Sequence, residues 1–181
     1  VLGEVGGGWG AAVTTLMNER VALGGGVSRK GTGPIGDLLR VWGERKGSLD
    51  ATTLPVARDR VVELWCRAEA LRLTNWRARD GSKSGNPGPE GSVGKLMSAE
   101  MNQHIYEACL DLLGAEGLVH EAGYERKRPD GLRLTGGEST KYAFLRARAN
   151  TIEGGTSEVM RNILGERVLG LPCDVRVDKG V

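Results

Sequence analysis

Between residues 54 and 78 the apolar residues Val61, Leu64, Trp65, Ala68, Leu71 and Trp76 recur at helical spacing. Side chains three or four apart share one face of an α-helix, whereas a half-buried strand needs strict alternation. This long amphipathic stretch constrains the fold more than any other feature. No run elsewhere alternates for the length of a strand, and no unit of roughly 20–50 residues repeats. The expected class is all-α: antiparallel helices in a four-helix-bundle-like domain with long loops.

The remaining helices follow from the same periodicity. One is expected near 10–24, on Ala11, Ala12, Val13, Leu16, Met17 and Val21. Gly24, Gly25 and Gly26 either end it or let another backbone pack closely, because each Gly weakens a helix interior by about 1 kcal/mol. A second is expected near 35–46, with Pro34 at its first turn, where Pro is tolerated. A fourth, near 93–114, carries Met97, Met101, Ile105 and Cys109 as an i, i+4 stripe. Helical signal returns over 142–149 and breaks at Glu153-Gly154-Gly155. A last helix near 157–169 starts at Thr156 or Ser157. Breaker residues predict loops over 80–94 and 117–139.

The chain of 181 residues is long enough to bury a core without staples. With 39% hydrophobic and 27% charged residues it does not have a disordered composition. A net charge of +2 without a basic stripe argues against nucleic acid as a partner. No apolar run reaches the roughly 20 residues of a membrane span, so no membrane partner is expected. Two His and three scattered Cys exclude a zinc module, and no metal is expected. The thiols point to a reducing, cytoplasmic setting. Val1-Leu2-Gly3-Glu4 is neither an initiator Met nor a signal sequence, and the chain reads as a fragment of something longer.

Several motifs carry candidate chemistry. Gly6-Gly7-Gly8 lacks the Gly-Lys-Ser/Thr ending of a phosphate loop and reads as a hinge. Thr156-Ser157-Glu158 after two Gly is a helix start, first a capping feature, whose free N–H groups and positive end suit an anion or a carbonyl. Glu19-Arg20 lies in the apolar first helix. It is either a solvated pair or a carboxylate held in a cleft, able to act as a base once desolvated. Glu153, on a loop whose backbone can approach a ligand, is a second candidate base. His104 and His120 show no ligand spacing, and Trp42, Trp65 and Trp76 read as packing residues.

Two segments, taken together, resemble the acyl-CoA dehydrogenase family. The stretch from Arg146-Ala-Arg-Ala-Asn-Thr-Ile-Glu-Gly-Gly-Thr-Ser-Glu-Val-Met-Arg-Asn to Ile-Leu-Gly-Glu-Arg-Val-Leu-Gly-Leu-Pro172 is similar to the family's C-terminal signature. Gly3-Glu4-Val5 through Leu16-Met-Asn-Glu-Arg-Val21 resembles the exit from its β-domain into the C-terminal helical domain. Glu44-Arg45-Lys46 and Asp111-Leu-Leu-Gly-Ala-Glu-Gly117 fall in the family's order. The resemblance implies that 1–10 leave a β-domain, 11–172 form the helical FAD and acyl-CoA domain, and 173–181 are a tail.

The implied chemistry is FAD-dependent oxidation of an acyl-CoA thioester to a trans-2-enoyl-CoA, within fatty acid and lipid degradation. Electrons pass to an electron-transfer flavoprotein. The implied assembly is a dimer or a dimer of dimers, either a homo-oligomer or a mixed tetramer. The family's base stands either on the first helix, matching Glu19 beside Arg20, or in a Glu-Gly-Thr loop. An ungapped match from Thr156 puts Gly154 at the loop position, which favours Glu19 and leaves Glu153 as the alternative. The backbone N–H near Gly154 matches a donor to the thioester oxygen. Arg45 matches the cofactor's pyrophosphate contact from a neighbouring subunit, and Asp111, Gly114 and Ala115 match the turn near its adenosine. Thr156 and Glu158 match further cofactor contacts. Departures from the family pattern, among them Ala57-Arg58 where a Gln is expected, motivate an alternative role as partner subunit of a mixed oligomer with a degenerate FAD site. Gly47-Ser48-Leu49 replaces the family's Phe-Gly, and Asp111 replaces its Gln. A helical binding module without chemistry is a third reading, disfavoured by the charge balance.

Overall fold

The structure, a computed structural model, describes residues 3–12, 14–15, 28–83, 89–119 and 137–173. Residues 8–12 and 14–15 are helical. The expected first helix otherwise lies outside the described residues, and Glu19 and Arg20 with it. Six further α-helices follow among the described residues: α1 (Pro34–Arg45), α2 (Thr53–Lys83), α3 (Glu90–Leu113), α4 (Ala115–Leu118), α5 (Gly137–Ala147) and α6 (Ser157–Arg167). Short 3-10 turns, Lys46–Ser48 and Arg148–Thr151, continue α1 and α5. No strand occurs among the described residues.

Helix α3 is the post of the bundle: α1, α2, α5 and α6 all pack against it. Its sequence explains why. Met101, Ile105 and Cys109 are buried on one stripe, Met97 is packed at its edge, and Ala99, Tyr106 and Ala108 widen the face. Leu38 and Val41 of α1 and Val61, Leu64 and Leu71 of α2 close the core against that stripe. Burying a side chain such as Leu38, which has no exposed surface, contributes about 1.5–3 kcal/mol. Burial also pushes the Cys109 thiol up to about 12, which leaves it an inert packing group. Met160 of α6 is fully buried as well.

Helix α1 starts where expected. Pro34 sits in its first turn behind Gly33, whose φ of 74° few residues but glycine adopt. A Cβ on Gly36 would come within 2.8 Å of the Gly31 carbonyl oxygen, so this entry closes only around a glycine. Asp50 opens α2 by accepting from the backbone N–H groups of Thr52 and Thr53, at 2.8 and 2.9 Å. The expected face of α2 is buried at Val61, Leu64 and Leu71 and packed at Trp65 and Ala68. Trp76 departs from it: half its surface is exposed, with the Arg72 guanidinium 5.8 Å from the ring centre.

The loop expected over 80–94 is corrected at both flanks, while 84–88 lie outside the described residues. Helix α2 runs on through Asp80 and Gly81 to Lys83, and α3 begins at Glu90. Pro89, at φ −71°, is already set for a helix entry, and Glu90 puts negative charge in the first turn. Glu90 also pairs with Arg77 across the connection at 3.2 Å. These terms outweigh the glycines at 91 and 94. The loop expected over 117–139 is corrected at both ends, because α4 reaches Leu118 and α5 starts at Gly137, while 120–136 lie outside the described residues. The last helix stops at Arg167 rather than 169.

Candidate functional site

The matched residues gather at the two ends of α3. At one end the chain leaves α5, turns through Arg148–Thr151, and reaches Gly154 and Gly155 before α6. Gly154 is buried at φ 65°, and Gly155 stands at φ 103°. Both lie in the left-handed region that side chains disfavour, which explains the glycine pair. Among the described residues neither glycine N–H has an acceptor. Gly154 is the buried one of the two, and a buried backbone N–H is nearly always paired, so it stands out among the described residues. Thr156 then caps α6, its hydroxyl accepting from the Val159 N–H at 3.3 Å. Glu158 is exposed in the first turn, and its carboxyl is held below the usual range by its own N–H and the Thr156 hydroxyl.

Helix α3 grips this turn with a polar face. Lys95, only 2% exposed, donates from Nζ to the carbonyls of Asn150, at 3.0 Å, and of Gly155. Asn102 donates to Asn150 Oδ1 at 3.2 Å. Gln103 donates to Thr151 Oγ1 at 3.0 Å and to the Ala147 carbonyl at 3.3 Å. Glu153 is fully engaged: it accepts from Arg146 and from the Asn150 amide, each at 2.7 Å. The Arg146 guanidinium holds the Glu153 carboxyl below its ordinary value. A cavity of about 340 Å³ opens beside the turn, lined among others by Arg29, Arg72, Lys95, Asn102, Asn150 and Glu153.

The other end of α3 is solvent-facing. Arg45, in the last turn of α1, reaches Glu116 of α4 with both terminal nitrogens, at 3.2 Å from Nη1 to Oε1. The pair raises Arg45 and lowers Glu116 relative to their ordinary values, chiefly through the hydrogen bond between them. Asp111 pairs with Arg60 of α2. Gly114 ends α3 at φ 59°, and Ala115 opens α4.

The structure therefore brings Glu153, Gly154, Thr156 and Glu158 together along the first half of α3, from Lys95 to His104, and Arg45, Asp111, Gly114 and Ala115 at its far end. Along α3 the two sets stand about 15–28 Å apart at 1.5 Å per residue, counted to Gly114 from His104, which lines a pocket with Thr156 and Glu158, and from Lys95. Glu19 and Arg20 lie outside the described residues. Sequence reasoning missed Lys95, Asn150 and Glu116. A signal for Lys95 did exist: Lys95, Asn102 and Gln103 fall at i, i+7 and i+8, a polar stripe beside the apolar one. Among the described residues no group of three or more His, Cys, Asp or Glu side chains is placed to hold a metal, and no helix is long and apolar enough to cross a membrane.

An all-helical bundle with a glycine turn feeding a capped last helix is the architecture of the helical C-terminal domain of acyl-CoA dehydrogenases. The chain belongs to that family: the model described as "Acyl-CoA dehydrogenase, C-terminal domain" matches residues 6–169. The acyl-CoA dehydrogenase IpdE1 of Mycolicibacterium smegmatis is 32% identical over 182 residues, covering 97% of this chain and 40% of its own length. The acyl-CoA dehydrogenase FadE34 of Mycobacterium tuberculosis is 33% identical over 174 residues, covering 95% of this chain and 21% of its own. Among solved structures, the ChsE4-ChsE5 complex from Mycobacterium tuberculosis matches with a TM-score of 0.65 and 27% identity, over 96% of this chain and 42% of that one. The Tcur3481-Tcur3483 steroid ACAD shares the fold at a TM-score of 0.65 and 24% identity, over 95% of this chain and 42% of that one. The chain thus spans less than half the length of each of these relatives.

Proposed function

We propose that this chain is the helical domain of a cytoplasmic FAD-dependent enzyme that removes hydrogen across the α,β bond of an acyl-CoA thioester, giving a trans-2-enoyl-CoA. The observation that carries the reading is the glycine turn: a buried Gly154 and its neighbour Gly155, with no acceptor for either N–H among the described residues, directly before a capped helix. Abstraction of an α-proton builds negative charge on the thioester oxygen, and preorganised N–H donors are what that charge needs. In this reading 1–10 lead in from a β-domain, 11–172 form the working domain, and 173–181 are a tail.

The residues present fit FAD. Thr156 and the first turn of α6 offer a helix N-terminus to its polar groups. Arg45 faces solvent, and its pairing with the exposed Glu116 is of the weak, displaceable kind. Gly114 and Ala115 form a turn without a bulky side chain at the same end. When bound, FAD supplies the acceptor for the hydride that leaves Cβ. An electron-transfer flavoprotein is the expected onward acceptor, and a homo-oligomer or mixed tetramer brings Arg45 of one subunit to another's cofactor.

Glu19 is the base in this proposal, with Arg20 beside it. The state of Glu153 supports that choice. A carboxylate already bonded to Arg146 and Asn150, and lowered by them, is a poor proton acceptor. A visible spectrum of the full-length protein tests cofactor retention, since a flavin band must be present. Glu19→Gln should slow anaerobic flavin reduction by at least ~10²-fold with FAD content unchanged. Glu153→Gln should do much less. The reverse ranking moves the base to the loop.

A second reading is that the chain belongs to the partner subunit of a mixed oligomer with a degenerate FAD site. The ion pairs of Arg45 with Glu116 and of Asp111 with Arg60 favour it, because they engage two matched cofactor positions within the chain. The ChsE4-ChsE5 neighbour is itself a complex of two components. If neither Glu19→Gln nor Glu153→Gln alters flavin reduction, this reading takes over.

A further inference from the structure

Lys95 is a charged group that the chemistry above leaves unused. Its ammonium is carried on the central helix, almost wholly buried, and donates to backbone carbonyls rather than relying on a surface position. A buried charge is retained only where hydrogen bonds satisfy it. The two carbonyls belong to Asn150 and Gly155, so they bracket the segment that contains Glu153 and Gly154. Anchoring alone does not require a charge. Asn102 and Gln103, on the same face, hold the neighbouring residues with neutral amides.

The peptide geometry shows what the charge adds. All described peptide bonds are trans, so each C=O points opposite to the N–H of the same unit. Drawing the Asn150 and Gly155 carbonyls toward α3 turns the Thr151 and Thr156 N–H groups away from it. Between these two fixed carbonyls lie Gly154 and Gly155, whose N–H groups have no acceptor among the described residues.

We propose that Lys95 is a positioning residue of the dehydrogenation: by holding the Asn150 and Gly155 carbonyls it aims the Gly154 N–H at the thioester oxygen. This rests on the function proposed above and names the residue that prepares that donor.

The test uses the full-length flavoenzyme. A panel of straight-chain, branched and steroid-side-chain acyl-CoA thioesters first identifies the one that reduces the flavin fastest. Lys95→Met, which keeps the stem and removes the charge, is then compared with the unsubstituted enzyme. Binding is read by flavin absorbance with two ligands: the enoyl-CoA product, and a thioether analogue that lacks the carbonyl oxygen. Thioester binding should weaken by about tenfold, the cost of one hydrogen bond, while thioether binding stays the same. Flavin reduction at saturating substrate should fall by ~10²-fold, with flavin content retained, and Lys95→Arg should recover part of it. Equal weakening of both ligands, or of neither, overturns the proposal and leaves Lys95 a structural anchor. If Lys95→Met does not fold, Lys95→Gln, which can still hold one carbonyl, takes its place: selective loss of thioester binding supports the proposal, and equal loss or none overturns it. If no acyl-CoA reduces the unsubstituted enzyme, the dehydrogenase reading itself falls, and the role of Lys95 in it falls too.

Discussion

The two ends of α3 use the same kinds of charged residue in opposite ways. At the Lys95 end the charge is buried and bonded to the backbone of a glycine turn. At the Gly114 end Arg45, Glu116, Arg60 and Asp111 pair with one another at the surface. Breaking a buried charged contact costs about 3–5 kcal/mol, because the partner is left desolvated. A surface pair loses little, because water replaces the lost partner and salt already screens it. The buried end is therefore suited to hold a reaction geometry, and the open end to exchange one partner for another.

The largest effect should come from undermining the buried end. Met160 lies fully buried on α6, a helix that packs against α3. Met160→Ala should destabilise the domain by about 2–5 kcal/mol in a thermal or urea unfolding experiment. A loss well under this range would mean that α6 is not fastened to the post, and the contrast between the ends would weaken.

An intermediate effect should appear as pH dependence. The Glu153 carboxyl is held below its unfolded value of 4.5 by Arg146 first and by Asn150. A depressed carboxyl contributes stability that is complete above the unfolded value and is lost as pH falls through the folded one. Glu153→Gln should thus flatten the acid limb of a stability–pH curve below 4.5 and leave the shape at neutral pH unchanged. An unchanged acid limb would remove Glu153 from the buried network.

The smallest effect belongs to the open end. Glu116→Gln should leave the melting temperature unchanged within measurement, at low and high salt alike. A clear drop would show that the Arg45 pair is structural, and would count against its yielding to a diphosphate.

The sequence foretold the bundle because its helices carry a continuous apolar stripe: Met101, Ile105 and Cys109 are buried as that stripe requires. It misled over 80–94 because breaker rules weigh Gly and Ser locally. The Pro89-Glu90 start and the Arg77 pairing decide that connection. Thr156 as cap of α6 was legible, since capping is a property of neighbouring residues. Lys95 was not. Its partners stand some 55 and 60 residues away, and a lysine inside a helix pattern looks like a solvated face until packing places it. The pairing of Arg45 with Glu116 was hidden for the same reason, across 71 residues.

One consequence follows from α3 serving as the post. Helices α1, α2, α5 and α6 all lean on it, so none of them can detach without baring part of its stripe to water. Local opening is cheap only where few apolar contacts are lost. The backbone amides in the middle of α3, around the buried Met101, Ile105 and Cys109, therefore have no inexpensive route to solvent and should exchange their hydrogens only when the domain opens. Their exchange rate is a direct gauge of global stability, and slow exchange along α3 marks the domain as one cooperative unit.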